Sequence, residues 1–409
     1  MLVMQSAPRE QFRRREELYC LARNTPRPTI PLFDAIRREF AGPADHAEPA
    51  FAFLNRSDRP RAYRIRELLE GWFAAYPETQ ARDLRARFRD TDDRQHHAAF
   101  FELYCYAALT RQGYRVEAHP ATEGGRSPDF LALRNARPIF YLECTLAAPS
   151  NADHAVERRL SQFLDGINRE TVADFFISVS VKSEGASPPS AARLRKFLRQ
   201  QLAALDPEEV AVSEPQALPT WPWKENDWEL EIQAIPIKAG ARDKPHRFIG
   251  AVSYGYGELK PEGPIRKALE SKASAYGHLD LPYAVAVNVL DELTVDADIR
   301  DALAGGSRLV VDRETRQYRQ ERSPDGFWGT EDKPSNQRAS AVLAACRLTP
   351  WTFAESDPTL WHHPWARFPL DPSHWFGTQW IPDRAVGQMV RADGKKLWEI
   401  LGLTSRWPE

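Results

Sequence analysis

Residues 127 to 146 read Ser-Pro-Asp-Phe-Leu-Ala-Leu-Arg-Asn-Ala-Arg-Pro-Ile-Phe-Tyr-Leu-Glu-Cys-Thr-Leu. Asp129 opens one apolar run, and Glu143 lies inside a second run with Thr145 two residues on. Because side chains on a strand alternate between faces, Glu143 and Thr145 are expected to point the same way. If Asp129 starts the neighbouring strand, its carboxylate lies close to that of Glu143. The stretch therefore predicts two adjacent strands whose carboxylates share a divalent cation, either Mg²⁺ or Mn²⁺.

Helical and strand patterns flank these runs in a definite order. Apolar residues recur at helical spacing from Ala98 to Gln112, and Gly113 ends that run. Three strand-like runs follow, then a second amphipathic helix and a fourth strand rich in aromatic and β-branched residues. These later elements are predicted as strands at 114–119, 130–133 and 139–146, a helix at 153–167 and a strand at 175–181.

Three acidic positions and this order of elements resemble the PD-(D/E)xK phosphodiesterase superfamily. Pro128-Asp129 corresponds to the PD of the motif, and Glu143-Cys144-Thr145 corresponds to its (D/E)xK. Glu102 matches the acidic residue that many members carry on the helix before the first strand. The resemblance implies an α/β fold with a restriction-endonuclease-like αβββαβ core and a mixed central sheet. It also implies that Asp129, Glu143 and Glu102 serve a catalytic Mg²⁺ or Mn²⁺.

The sequence departs from the motif at its lysine, which is replaced by Thr145. A threonine cannot supply positive charge to a phosphate, although it could position a water molecule. No lysine precedes Lys182, so Lys182 at the end of the fourth strand and Lys272 on a later helix are the two candidates for the role. Two alternatives remain, namely a cation that activates water without a side-chain base, and loss of cleavage.

Three of the candidate site residues in this region also have an interpretation as ordinary structural residues. Glu102 could be a solvated helix residue, Asp129 a turn residue before a strand, and Thr145 a strand residue of good β-propensity. Glu143 is harder to explain in this way, because its neighbours in the strand are apolar. A buried carboxylate needs a partner, so a cation or an arginine is expected beside it.

Composition limits the classes of partner. The 409 residues include 55 Lys and Arg against 57 Asp and Glu, so binding to nucleic acid requires a local basic patch. The arginine-rich stretch from Arg56 to Arg66 and Arg82, Arg85, Arg87 and Arg89 are candidates, with solvated helix faces as the alternative. The apolar stretches are too short to span a membrane. Four scattered cysteines without a CxxC pair indicate a reducing, cytoplasmic setting.

Three regions are expected along the chain. Residues 1–95 are predicted to be a helical N-terminal region, 96–312 the nuclease-like core with insertions, and 313–409 an irregular, Trp- and Pro-rich extension packed on the core. The apolar run from Tyr283 to Leu290 is typical of a strand covered on both faces, and residues 339–348 are predicted to form another buried strand. The run at Tyr283 suggests that the sheet of the core continues there and that the helix carrying Lys272 packs near it.

The sequence thus favours a metal-dependent nuclease that cleaves DNA, with RNA as an alternative substrate and with a partner subunit or homodimer as an open possibility. The family resemblance suggests defence, repair or mobile-element processing. The alternative is a catalytically silent module that binds nucleic acid or a partner protein. A hydrolase of another type has little support, because neither a GxSxG motif nor a Cys-His arrangement is found.

Overall fold

The fold was analysed in a computed structural model. The structure describes residues 30–122, 124–147, 151–170, 174–242, 246–254, 262–291, 294–311, 318–383 and 388–409. Its helices are α1 (Ala50–Arg56), α2 (Pro60–Ala74), α3 (Glu78–Phe88), α4 (Asp93–Arg111), α5 (Asn151–Asn168), α6 (Ala191–Leu202), α7 (Pro207–Ala211), α8 (Glu262–Ala273), α9 (Asp296–Ala304) and α10 (Leu397–Ile400). Its strands are β1 (Arg115–Ala118), β2 (Phe130–Arg134), β3 (Arg137–Ala147), β4 (Phe175–Ser183), β5 (Thr220–Glu225), β6 (Trp228–Pro236), β7 (Ile249–Tyr254), β8 (Tyr283–Val289), β9 (Ser307–Val311), β10 (Tyr318–Arg322), β11 (Ala341–Cys346), β12 (Thr359–His362), β13 (Gln379–Asp383) and β14 (Gln388–Ala392).

The chain divides into two compact units. The first unit takes the described residues of 1–42, 49–148 and 260–409, and the second takes those of 43–48 and 149–259. The predicted boundaries at residues 95 and 312 do not coincide with this division. The N-terminal helices and the C-terminal strands belong to the same unit as the carboxylate-bearing strands, because their apolar side chains share one core.

An eight-stranded mixed sheet forms the centre of the first unit, in the order β1-β2-β3-β8-β11-β12-β13-β14. Strands β1, β2 and β3 are antiparallel neighbours, whereas β8 is parallel to both β3 and β11. All seven residues of β8 are buried, as expected for a central strand covered on both faces. The predicted mixed α/β class is therefore confirmed, as is the prediction that the sheet continues into the apolar run at Tyr283.

Two apolar clusters cover the two faces of this sheet. One cluster joins α4 and the N-terminal helices to side chains such as Phe130, Phe140 and Leu142. The other cluster joins α8 and α9 to Leu131, Tyr141 and the valines of β8. Alternate residues of β2 and β3 thus enter opposite clusters, as strand geometry requires. Polar side chains on the α8 face of β3 must find polar partners there.

The prediction that the fourth strand belongs to the same sheet as the carboxylate-bearing strands is wrong. Residues 175–181 do form a strand, β4, but it lies in the second unit, in a four-stranded sheet of order β5-β6-β4-β7. Its side chains Ile177 and Val179 pack there against the α5 residues Phe163 and Ile167. The strand that pairs with β3 is β8. A local run of β-forming residues indicates a strand, but it does not determine which sheet receives it.

The C-terminal region is more regular than the irregular extension that was predicted, and the buried strand expected at 339–348 is confirmed as β11. It contributes four strands, β11 to β14, to the eight-stranded sheet. Strands β12 and β13 are only four and five residues long, and each carries a tryptophan. The Trp361 and Trp380 rings stack with their centroids 5.1 Å apart. Such short runs interrupted by Pro have little local strand signal.

Among the described residues, no helix combines the length and the apolar composition that a bilayer crossing demands.

Candidate active site

Glu143 lies on β3 with only 3% of its surface exposed. Strand alternation turns its side chain to the α8 face, together with Tyr141 and Ala147. Its Oε1 accepts a hydrogen bond from Lys272 Nζ at 2.6 Å. Its Oε2 accepts bonds from the Tyr276 hydroxyl and from the main-chain N–H of Asp129 at 3.1 Å. The positive charge beside this buried carboxylate is thus that of a lysine in this structure, whereas the sequence indicated a cation or an arginine.

Asp129 lies directly across from Glu143. Phe130 pairs with Leu142 in the antiparallel register of β2 and β3, so the next position outward brings Asp129 opposite Glu143. Asp129 Oδ2 accepts a bond of 2.7 Å from the main-chain N–H of Cys144. Each carboxylate therefore caps a backbone N–H of the other strand at the point where the two strands stop pairing. This exchange holds both carboxylates side by side, as the alternation pattern predicted.

The charge around Asp129 is strongly negative. Burial, followed by the negative charges of Glu143 and Glu102, raises the pKa of Asp129 to about 8. Hydrogen bonding from Cys144 and the charge of Lys272 lower that pKa but do not cancel the increase. The high pKa thus reflects burial first and the two neighbouring carboxylates second, and a cation would offset the second of these causes. Further positive charge would therefore be stabilised there.

Lys272 occupies the last turn of α8. Ile265, Leu269 and Ala273 bury one side of this helix against the sheet and so place Lys272 over β3. The Lys272 side chain is 33% exposed, against 4% for that of Glu143, so the ammonium group reaches the surface of the site. Although burial alone lowers it, the pKa of Lys272 is raised by the charge and hydrogen bond of Glu143. Lys272 is therefore a charged group at neutral pH.

Two tyrosines complete the surroundings of this pair. The Tyr276 hydroxyl also approaches the carbonyl of Ser127 at 3.3 Å. The Tyr283 hydroxyl donates to the carbonyl of Lys272 at 3.1 Å and so holds the end of α8. Burial and the neighbouring carboxylates raise the pKa of both phenols, so both remain donors. Neither residue was predicted as part of the site, because both reach it through packing of α8 and β8 against β3.

Glu102 approaches Asp129 from α4, but its own bonds lead elsewhere. Its Oε1 accepts from the Tyr76 hydroxyl at 2.5 Å, and its Oε2 forms an ion pair with Arg87 at 2.8 Å. Glu102 is 4% exposed, so the interpretation as a solvated helix residue is wrong. The structure gives Glu102 an ion-pair role and an electrostatic effect on Asp129.

The remaining candidates are placed differently. Thr145 is half-buried on the same face of β3 as Glu143, and it pairs with Val287 of β8. Lys182 belongs to the second unit, at the end of β4, where it forms an ion pair of 3.1 Å with Glu231. The structure thus brings Asp129, Glu143 and Lys272 together and leaves Lys182 in another sheet.

The basic N-terminal stretch is largely occupied by structural bonds. Arg66 is buried and donates to the carbonyls of Leu54 and Ser57 at 2.7 and 2.8 Å. Arg59 donates to the carbonyl of Ala41, and Arg64 donates to that of Pro408. These guanidinium groups already donate hydrogen bonds to main-chain carbonyls of the protein, which weakens the interpretation of the stretch as a phosphate-binding patch.

The two carboxylates suit a hard divalent cation. Within the described ranges, no group of three His, Cys, Asp or Glu side chains is arranged to hold one ion. Mg²⁺, however, commonly binds through one or two carboxylates and completes its coordination with water and substrate phosphate. Asp129 and Glu143 fit this pattern, and the raised pKa of Asp129 shows where added positive charge is favoured. Glu102 is committed to Arg87 and Tyr76.

Comparisons of this chain with protein-family models, with curated proteins and with solved structures give no match.

Proposed function

We propose that the protein is a metal-dependent nuclease with a restriction-endonuclease-like core, and that it cleaves phosphodiester bonds in DNA. Asp129 and Glu143 hold Mg²⁺ or Mn²⁺, and Lys272 takes the place of the motif lysine. The observation that carries the proposal is the 2.6 Å contact between Lys272 Nζ and Glu143 Oε1, with Asp129 directly opposite. We also propose a cytoplasmic location, because the described cysteines Cys105, Cys144 and Cys346 are all free thiols.

The order of elements in the first unit supports the fold part of this proposal. Apart from the second unit, the chain runs α4, β1, β2, β3, α8 and β8. This order is the same as the helix, three strands, helix and strand expected of a PD-(D/E)xK core, and β8 is parallel to β3. Most of the second unit lies in the chain between β3 and α8. In the family pattern, the strand that carries the motif lysine is followed by the second core helix, which corresponds to α8 here. The lysine has moved from the strand to that helix.

The residues of the site can divide the work of phosphodiester hydrolysis. A bound divalent cation would polarise the phosphate and lower the pKa of an attacking water molecule. Lys272 remains protonated, so it acts by charge and hydrogen bonding rather than by accepting a proton. Its ammonium group has three N–H donors, of which Glu143 occupies one. The other two are left for a phosphate oxygen or for the attacking water.

One observation favours a second candidate, the catalytically silent binding module. Lys272 already neutralises Glu143, and Arg87 already neutralises Glu102. The buried acids are therefore partly compensated by the protein itself, as expected for a purely structural cluster. Asp129 argues against this reading, because its described side-chain bond comes from a backbone N–H rather than from a basic side chain, and it lies beside two other acids.

Cleavage assays test the proposed function. We expect wild-type protein to cut linear, circular or single-stranded DNA, or RNA, when Mg²⁺ or Mn²⁺ is added, and to stop cutting when EDTA is added. The physical reason is that Asp129 and Glu143 need a divalent ion to bring a phosphate to a carboxylate-lined site. If none of these substrates is cut at any cation concentration, the nuclease proposal is wrong and the silent module takes its place.

Cation binding is expected to depend on pH through Asp129. Its pKa is about 8 in the folded protein and 3.8 in the unfolded chain, so the cation-free protein loses stability as pH rises between these values. A cation must displace that proton. Below pH 8 the apparent Kd of the cation should therefore rise about tenfold for each unit by which the pH falls. Thermal unfolding at a series of Mg²⁺ concentrations between pH 6 and pH 8 measures this change.

The control variants for that titration are Asp129→Asn and Asp58→Asn. Asp129→Asn is nearly the same size and removes the titrating group, so it should abolish the stabilisation by Mg²⁺. Asp58 is exposed, and its replacement should leave both stabilisation and pH dependence as in the wild type. Stabilisation that persists in Asp129→Asn would place the cation elsewhere.

A further inference from the structure

A cavity of about 90 Å³ lies beside the candidate active site, and a wider groove of about 290 Å³ adjoins it. Tyr276, His278 and Phe368 line the cavity. Arg338 and Arg367 line both the cavity and the groove, so these two arginines stand at their common border. The cavity has aromatic walls, and its entrance carries positive charge.

Tyr276 connects this cavity to the carboxylates. Arg338 Nη1 donates to the main-chain carbonyl of Tyr276 at 2.8 Å, and the hydroxyl of the same tyrosine bonds Glu143. The single residue Tyr276 therefore links the guanidinium of Arg338 at its main chain to the carboxylate pair at its hydroxyl. A strand whose scissile phosphate sits at Glu143 would place a neighbouring nucleotide at this distance.

The arginines are suited to a phosphate group. Arg338 and Arg367 are both exposed. Among the residues that the structure describes, the Arg367 guanidinium has no hydrogen-bond or ion-pair partner. Arg126 lies nearby, because its Nη1 is 3.5 Å from the carbonyl of Ala275, next to Tyr276. Guanidinium groups bind phosphate through paired N–H donors, so an unpaired exposed arginine at a pocket entrance is suited to anion binding.

The aromatic cavity is suited to a base. His278 and Phe368 meet edge to face with centroids 6.4 Å apart, and an unpaired base can stack on such rings. A cavity of about 90 Å³ is small for an aromatic ligand, so a pyrimidine base with its single ring suits it better than a purine base with two fused rings. A base inside a duplex cannot enter a cavity of this kind without leaving its stack.

We propose that this cavity and its two arginines form a subsite for one unpaired pyrimidine nucleotide of the substrate, next to the cleaved bond. His278 and Phe368 hold the base, and Arg338 and Arg367 hold its phosphate. The subsite rests on the proposed nuclease function and narrows its substrate to a single strand or to an unpaired region of DNA or RNA.

Binding measurements in EDTA test the subsite separately from cleavage. Fluorescence anisotropy would compare labelled oligothymidylate, oligodeoxyadenylate and a duplex of equal length. We expect oligothymidylate to bind most tightly, and the Arg338→Ala/Arg367→Ala variant to weaken that binding at least tenfold. Because each phosphate neutralised on a single strand contributes about 0.7 to the salt slope, and both arginines are proposed to hold the same phosphate, the double variant should lower the slope by about 0.7.

Three further variants test whether weaker binding by the double variant reflects loss of the subsite or loss of the folded structure. Arg367→Ala alone removes no described side-chain bond and should still weaken binding severalfold. Phe368→Leu keeps an apolar side chain but loses the aromatic face, and it should weaken single-strand binding roughly 5- to 100-fold with little change for the duplex. Arg37→Ala is the control, since Arg37 is an exposed arginine paired only at the surface with Glu39.

The outcomes separate this subsite from the nuclease function. Wild-type binding by the arginine and Phe368 variants would overturn the subsite, as would equal binding of oligothymidylate and oligodeoxyadenylate or an equal loss in Arg37→Ala. Cation-dependent cleavage could still stand in those cases. Selective loss of binding in the variants supports the subsite even if the wild type cuts none of the substrates.

Discussion

Lys272→Met is expected to lower the single-turnover cleavage rate by about 10²- to 10³-fold, the usual effect of removing one preorganised donor from a charged transition state. Methionine keeps the length and apolar stem of lysine but provides neither charge nor N–H donors. The loss should appear in the rate at saturating substrate, because Lys272 is proposed to contact the reacting phosphate. The change also leaves buried Glu143 without its ion-pair partner, so thermal stability should fall as well.

Charge-matched variants separate these two effects. Lys267 lies on the same helix and is exposed, so Lys267→Met should cleave at the wild-type rate. Lys272→Met/Glu143→Gln should regain stability but remain inactive. Thr145→Lys in the Lys272→Met background would return a lysine to the strand position of the motif, on the face of β3 that Glu143 occupies, and part of the rate should return. Undiminished cleavage by Lys272→Met would remove Lys272 from the mechanism.

Arg87→Met is expected to lower the free energy of unfolding by about 3 kcal/mol, because breaking a buried ion pair leaves an uncompensated charge. Glu102 is 4% exposed and would retain only the Tyr76 hydroxyl as a partner. Since the Arg87 side chain is 27% exposed, the loss should lie at the lower end of the range for buried pairs. Urea unfolding monitored by tryptophan fluorescence measures the change.

Two comparisons define what this loss means. Arg82→Met replaces an exposed arginine of the same helix α3 and should change stability by less than about 0.5 kcal/mol. Arg87→Met/Glu102→Gln removes both charges and should recover most of the lost stability. If Arg87→Met unfolds like the wild type, the pair is not a structural element, and Glu102 becomes available as a ligand of the cation.

The carboxylate pair was predictable because its geometry is local. Alternation along β3 fixes the face of Glu143, and a single antiparallel register fixes Asp129 opposite it. The lysine partner was predictable only as one of two candidates, since its position depends on the packing of α8. The final choice between Lys182 and Lys272 required knowledge of which strand lies beside β3.

The errors in the predicted fold have one physical origin. Strand β4 has strong local β-propensity, yet its partners β6 and β7 occur far along the chain and draw it into a different sheet. The C-terminal strands β12 and β13 are short and owe their form to neighbours rather than to propensity. Likewise, Tyr76, Arg87 and Tyr276 reach the acidic side chains through packing, and no spacing pattern in the sequence specifies those contacts.

The separation of Glu143 and Lys272 in the chain has a consequence for protein synthesis. The two residues are 129 positions apart, so at about 5–20 residues per second the lysine leaves the ribosome roughly 6 to 26 s after the glutamate. During that interval strands β1 to β3 exist without the charge that balances Glu143, and burying a lone carboxylate is costly. We expect the nascent sheet to keep this edge hydrated until α8 emerges, so the candidate active site can close only after the whole second unit has been synthesised.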